Sequence, residues 1–130
     1  MVVRMLLAIA LVLCGCASNP MDPDNRELSN MLSLSNRVKR PIQDPADPSQ
    51  IIALQVEVDI INVGDLTITV PFTITWSLLD GQGKIYGSAS RRLEGNMAPG
   101  AKRHVSLTLN FPATPSLEGF SDAVTFDLVT

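Results

Sequence analysis

From Leu66 to Leu78 every second residue is apolar. Leu66, Ile68, Val70, Phe72, Ile74, Trp76 and Leu78 alternate with Thr67, Thr69, Pro71, Thr73, Thr75 and Ser77. Side chains change face every residue in a strand but return only about every 3.6 residues in a helix, so this run buries one face only as a strand. The other face is mostly threonine, which suits a half-solvated pleat. Pro71 has no N–H to give to a ladder. It demands an edge position, a bulge, or a break of the strand into two parts.

The same alternation recurs along the chain. Ile52, Leu54, Val56, Val58 and Ile60 alternate with Ala53, Gln55, Glu57, Asp59 and Ile61, and Asn62-Val63-Gly64-Asp65 reads as a turn. Asp80-Gly81-Gln82-Gly83 is a second turn, and residues 84–93 form a further strand. After the Ala98-Pro99-Gly100 turn, Val105, Leu107, Leu109 and Phe111 alternate with polar neighbours. Residues 112–121 read as a loop, and Val124, Phe126 and Leu128 close the chain. Residues 41–50, with Pro41, Pro45 and Pro48, also read as a loop. Residues 28–40 carry both periodicities. Leu28, Met31, Leu32 and Val38 fall roughly at helical spacing, whereas Leu32 and Leu34 alternate with Ser33 and Ser35. The strand reading is preferred because all that follows is β. Five or six such strands with short connections predict an all-β, antiparallel, immunoglobulin-like β-sandwich over residues 28–130, with Trp76 at its centre.

Composition fits one domain of this kind: 130 residues, 45% hydrophobic, with a formal net charge of -3. The acidic balance argues against a nucleic-acid partner, which calls for a basic face.

The first residues have a different character. Arg4 precedes an unbroken apolar run from Met5 to Leu13, and small residues follow it. This is the order of a secretory signal peptide, and the run is short of the roughly 20 residues that span a bilayer. Leu13-Cys14-Gly15-Cys16 resembles a bacterial lipobox. In that pattern Cys16 is acylated and becomes the mature first residue, while Leu13 is too large for the same slot before Cys14. A Cys14–Cys16 disulfide is disfavoured by its geometry, and a metal site there lacks the remaining ligands. The expected organisation is a signal peptide over 1–15, a lipidated N-terminus and polar tether over 16–27, and the sandwich beyond. Two or more acyl chains are what stable anchoring takes. In lipobox proteins an Asp after the Cys retains the protein in the inner membrane. Ala17 stands there, which implies the outer membrane.

The stretch from Phe72 to Lys84, with Phe72, Trp76, Asp80 and Gly83, resembles the strand and turn of small YcfL-type lipoproteins of Gram-negative bacteria. Asn62, the Ala98-Pro99-Gly100 turn and Asn110-Phe111-Pro112-Ala113 extend the resemblance over about residues 28–130. Leu78-Leu79 makes the spacing from Trp76 to the turn longer than in that pattern. The resemblance implies a lipid-anchored single sandwich, and no reaction.

The residues themselves offer little chemistry. His104 is the one histidine, expected on a polar face beside Lys102 and Arg103, whose charges would lower its pKa. Glu57 and Asp59 share one strand face, the ordinary pattern of a solvated surface. No cofactor, metal or catalytic constellation is expected. One group stands out. If residues 84–93 and 102–108 pair as a hairpin, Arg91, Arg92, Lys102 and Arg103 gather at one end as a basic patch. Such a patch suits lipid phosphate, a cell-wall carboxylate or an acidic protein loop. The expected function is therefore non-catalytic: an outer-membrane lipoprotein whose periplasm-facing sandwich is a binding or adaptor module for an envelope protein or cell-wall component. The alternative is a lipidated structural or assembly component of a secretion or pilus machine. Sandwich edges near Pro71 and at the termini are candidates for receiving a partner strand.

Overall fold

The computed structural model of the chain describes residues 25–129, and side chains from residue 27. Helix α1 (Asn25–Met31) leads into six strands: β1 (Leu32–Asp44), β2 (Asp47–Asn62), β3 (Phe72–Leu79), β4 (Ile85–Leu93), β5 (Lys102–Thr114) and β6 (Ser121–Leu128). They form two three-stranded sheets, β1-β2-β5 and β4-β3-β6. Every pairing is antiparallel. The architecture is the all-β sandwich that the alternation predicts.

The core lies between the sheets. Val56, Val58, Ile60, Ile74, Trp76 and Leu109 are all fully buried, and their positions alternate with polar residues as the pleat requires. Trp76 is 0% exposed. Burying its ring, roughly 200 Å², contributes about 5 kcal/mol at about 25 cal/mol per Å².

Four expectations need correction. Residues 28–31 are helical: Leu28 turns fully inward, and α1 packs on β6 and on β1. The strand begins only at Leu32, so the preferred strand reading holds for the second half of 28–40, and the expected tether ends at α1 rather than at residue 27. Residues 41–50 are no loop. β1 and β2 form a long hairpin that turns at Pro45-Ala46, where Asp44 Oδ1 accepts from the Ala46 N–H at 2.9 Å. Pro41 is tolerated because β1 ends its sheet and needs no donor on its outer side.

The alternating run from Leu66 to Leu78 is not one strand either. β3 starts at Phe72, and before it only Ile68 bridges to Met97. The chain must pass from one sheet to the other here, and Pro71 marks the break. Asn62 pins the crossing from inside. Its Nδ2 donates to the Leu66 and Met97 carbonyls at 2.9 and 2.8 Å, and its Oδ1 accepts from the Gly64 N–H at 2.9 Å. The turn after β3 forms as expected: Asp80 Oδ1 accepts from the N–H groups of Gln82 and Lys84, and Gly83 takes the positive φ of 81°.

Finally, β4 and β5 are not a hairpin. They belong to opposite sheets and face each other along one side of the sandwich. On the other side β1 and β6 stand apart. The sandwich is closed along one side and open along the other.

Candidate functional site: the open side of the sandwich

A single extra residue determines what lines the opening. Ser35 pairs with Asp59 and Val38 with Glu57, so Asn36 and Arg37 together oppose Val58. This is a β-bulge, and Asn36 sits in it at φ 53°, the left-handed region that asparagine tolerates better than most residues. Leu32 and Leu34 face the core opposite Asn62 and Ile60. Unbroken alternation would have carried Val38 and Ile42 inward too. A slip of one residue exchanges the two faces of a strand. Beyond the bulge Lys39 pairs with Val56 and Pro41 with Leu54 on the inner face, while Val38 and Ile42 point to solvent, 41% and 38% exposed.

The inner face of β1 is thus Arg37, Lys39 and Pro41. Arg37 lays its guanidinium over the indole of Trp76, Cζ 5.5 Å from the ring centroid. This cation–π contact contributes about 0.5–1 kcal/mol in an exposed setting. Lys39 crosses the opening to β6, where its Nζ lies 2.5 Å from Asp122 Oδ2. Asp122 is the better buried of the two, with 13% of its side chain exposed against 46% for Lys39. Its Oδ1 is buried without a donor among the described residues. The Trp76 Nε1 is likewise buried without an acceptor among them. An unmet buried polar atom costs about 1–3 kcal/mol, so two of them beside one opening is costly. Beneath the Lys39–Asp122 bridge lies a cavity of about 190 Å³, walled by Pro41, Leu54, Leu78, Leu117 and Phe120.

On the outside of the same sheet, register builds a polar network. His104 on β5 pairs with Asp59 on β2, and Glu57 is two residues along. The His104 Nδ1 lies 2.9 Å from Asp59 Oδ1 and its Nε2 3.2 Å from Glu57 Oε1. Arg40 donates to Glu57 Oε2 at 2.6 Å, and Asn36 donates to Asp59 Oδ2 at 2.8 Å. The hydrogen bonds from Asp59 and then Glu57 raise the His104 pKa above its ordinary value. The direction is opposite to the one expected from Lys102 and Arg103. The error was one of register: the nearest charges are the two carboxylates across the strand pair. Glu57 is held below its ordinary value by Arg40 first and His104 second, and Asp59 by Asn36 first and His104 second.

The four cations expected to form a basic patch are divided by the topology. Arg91 pairs with inward-facing Ile74, and its Nη2 donates across the closed side to the Ser106 carbonyl at 3.0 Å. Arg103 pairs with Ile60 and donates to the Glu94 carbonyl and, at 2.8 Å, to the Gly95 carbonyl. Arg92 faces out and meets Glu94 at 3.2 Å. Lys102 lies on the other sheet, beside Ile61. Arg91 and Arg103 hold backbone carbonyls along the closed side, so the hairpin that would have gathered four free cations does not exist. Cys16 lies outside the described residues.

Sequence reasoning missed Arg37, Lys39 and Asp122. The signal was present only indirectly: Asn36 followed by Arg37 interrupts an apolar alternation, which is where a bulge reverses the faces. No family model matches the chain, and no curated protein matches it. Among solved structures it is similar to a crystal structure of a protein designated ApaA from Bordetella pertussis. The two share 21% identity over 65% of this chain and 68% of that one, with a TM-score of 0.36. A superposition that loose lends no function to this chain.

Proposed function

We propose that this chain is a lipid-anchored envelope protein of the Gram-negative outer membrane, its sandwich facing the periplasm as a non-catalytic binding module. The observation that carries the binding role is the opening between β1 and β6. A chain built only to be stable would have kept Val38 and Ile42 inside and Arg37 and Lys39 out. Here the bulge turns Val38 and Ile42 to the outer face and brings Arg37 and Lys39 to the rim of the opening, where two buried polar atoms are unmet among the described residues. Natural folds accept such costs where a surface has work to do. The address rests on the lipobox pattern that ends at Cys16, and the resemblance to YcfL-type lipoproteins agrees with it.

The address is tested by metabolic labelling with a fatty acid, followed by membrane fractionation. Label is expected in the outer-membrane fraction for the native chain and for Cys14→Ser, and lost in Cys16→Ser. An unlabelled native chain, or label that survives Cys16→Ser, overturns the anchor. The binding role is tested by a photocrosslinking residue at Pro41, at the mouth of the opening. A discrete envelope adduct that is absent when the crosslinker sits at Ser88 on the opposite sheet supports it, and identical capture at both positions rejects it.

A further inference from the structure

We propose that the opening between β1 and β6 receives an extended peptide segment in which an acidic residue lies two positions from an apolar one. The carboxylate would seat on Arg37 and the apolar side chain in the neighbouring cavity. This deepens the binding-module reading and rests on it.

Four observations converge on that ligand. The first is the unspent charge of Arg37. Lys39, Arg40, Arg91, Arg92 and Arg103 each meet a carboxylate or a carbonyl. Arg37 has its stacking contact with Trp76 and, among the described residues, neither. A guanidinium held over an indole with its donors unused among the described residues is placed for a carboxylate, which it can take bidentately.

The second is spacing. Trp76, under Arg37, pairs with Val124 on β6, and Leu78, in the cavity wall, pairs with Asp122. The two rows are two residues apart, about 7 Å along a strand. A bound strand sends residues i and i+2 to the same face, so one reaches Arg37 and the other the cavity. At about 190 Å³ the cavity has the scale of one large aliphatic or aromatic side chain.

The third is backbone. β6 ends its sheet, and α1 covers part of it, which leaves a strand edge that a peptide can extend. The fourth is the pair of unmet polar atoms in those same rows, the Trp76 Nε1 donor and the Asp122 Oδ1 acceptor. A peptide backbone brings an acceptor and a donor at each residue, and so can offer one to each row. A fatty acid brings a carboxylate and a chain but no donor for Asp122. The Lys39–Asp122 bridge lies across the cavity, so on this proposal Lys39 moves aside on entry while a peptide N–H takes its place at Asp122.

The test uses the full chain in detergent micelles and two blocked eight-residue peptides of alternating threonine and valine. One carries a glutamate two positions before a leucine, and the other a glutamine in its place. Trp76 is the one tryptophan of the chain, so its fluorescence reports directly on the Arg37 position. The glutamate peptide is expected to bind about tenfold or more tightly than the glutamine peptide, in keeping with a charge-assisted pair. Arg37→Gln should erase that preference while Arg92→Gln, on the outer face of the other sheet, retains it. Leu78→Ala should weaken both peptides alike. If Leu78→Ala fails to fold, replacing the peptide's leucine by alanine in the native chain makes the same comparison. Equal binding of the two peptides, binding of neither, or a preference that survives Arg37→Gln overturns the proposal. A Trp76 signal that answers to Asp22→Asn with Asp24→Asn and to no peptide also overturns it, because it assigns the opening to the chain's own acidic N-terminal segment. A labelled, membrane-bound protein without the peptide preference leaves the anchor standing and sinks only the ligand.

Discussion

The imidazole of His104 stands directly across the β2–β5 pair from the carboxylate of Asp59, Nδ1 2.9 Å from Oδ1. With Glu57 on the other ring nitrogen, one side chain ties two acidic groups of the neighbouring strand. The protonated ring satisfies both, and the neutral ring has only one hydrogen to give.

The pH dependence of stability follows from this arrangement. His104 is raised from 6.5, so its contribution is full below that value and is lost as pH rises through the folded pKa. Glu57 is lowered from 4.5 and Asp59 from 3.8. Their contributions are present above those values and are lost as pH falls through the folded ones. The melting temperature should therefore be highest between the carboxylate and imidazole ranges and decline on both sides. The effect is modest because the groups are solvated. His104→Gln should flatten the alkaline decline. As the one histidine of the chain, His104 gives a single imidazole titration by NMR, and a midpoint at or below 6.5 contradicts the network.

Trp76→Ala removes the largest fully buried side chain and the surface on which Arg37 rests. Truncations of this kind cost about 3–5 kcal/mol, a large share of the roughly 5–15 kcal/mol that holds an ordinary domain folded. Urea denaturation followed by circular dichroism should show little or no folded baseline. An unchanged midpoint means that Trp76 is not the centre of the core.

Asn62→Ala should be nearly as damaging, although it deletes only a small polar group. It leaves the Leu66 and Met97 carbonyls without their side-chain donor and the Gly64 N–H without its acceptor. The Met97 carbonyl keeps the Ile68 N–H, so two groups are left unmet, and at about 1–3 kcal/mol for each a loss of about 3 kcal/mol is expected. Asn62→Asp should be worse at neutral pH, because it aims a carboxylate oxygen at two carbonyls, and should partly recover in acid. A thermal melt in which the aspartate variant matches the native chain at pH 7 rejects the role.

Gly95→Ala tests how closely the crossing loops approach. An added Cβ there would sit 2.3 Å from the Thr69 carbonyl oxygen, a backbone atom that cannot rotate away. One segment must shift, and such overpacking costs about 1–3 kcal/mol. Amide exchange at Ile68 and Met97, whose N–H groups bond each other's carbonyls, should accelerate before that of β3. Equal protection in both chains contradicts the close approach.

Strands with one plainly apolar face were legible in the sequence. In β2 and β5 alternation and burial coincide from Leu54 to Ile60 and from Val105 to Phe111. β1 was not legible in this way, because one extra residue at Asn36 exchanges its faces and no periodicity announces it. Asn62 was legible as a turn but not as a core residue, since an asparagine's burial depends on carbonyls supplied by Leu66 and by the distant Met97. The cations were legible as charges only. Whether Arg91 and Arg103 are free or spent depends on β4 and β5 lying in different sheets. The same holds for His104, whose nearest charges are set by strand register and not by sequence neighbours.

Helix α1 stands immediately before β1, so the N-terminal segment joins the sandwich at the end where β1 begins. The 13 residues of β1 then run away from that point for about 40 Å at about 3.3 Å each. If Cys16 is anchored as proposed, the positions from Cys16 to Asp24 can span at most about 30 Å. The cavity and the Pro45-Ala46 tip lie toward the end of β1 remote from that attachment. Such an anchor would let the far end of the sandwich reach as far as roughly 70 Å from the bilayer, a distance suited to meeting something that passes above a membrane rather than lies in it.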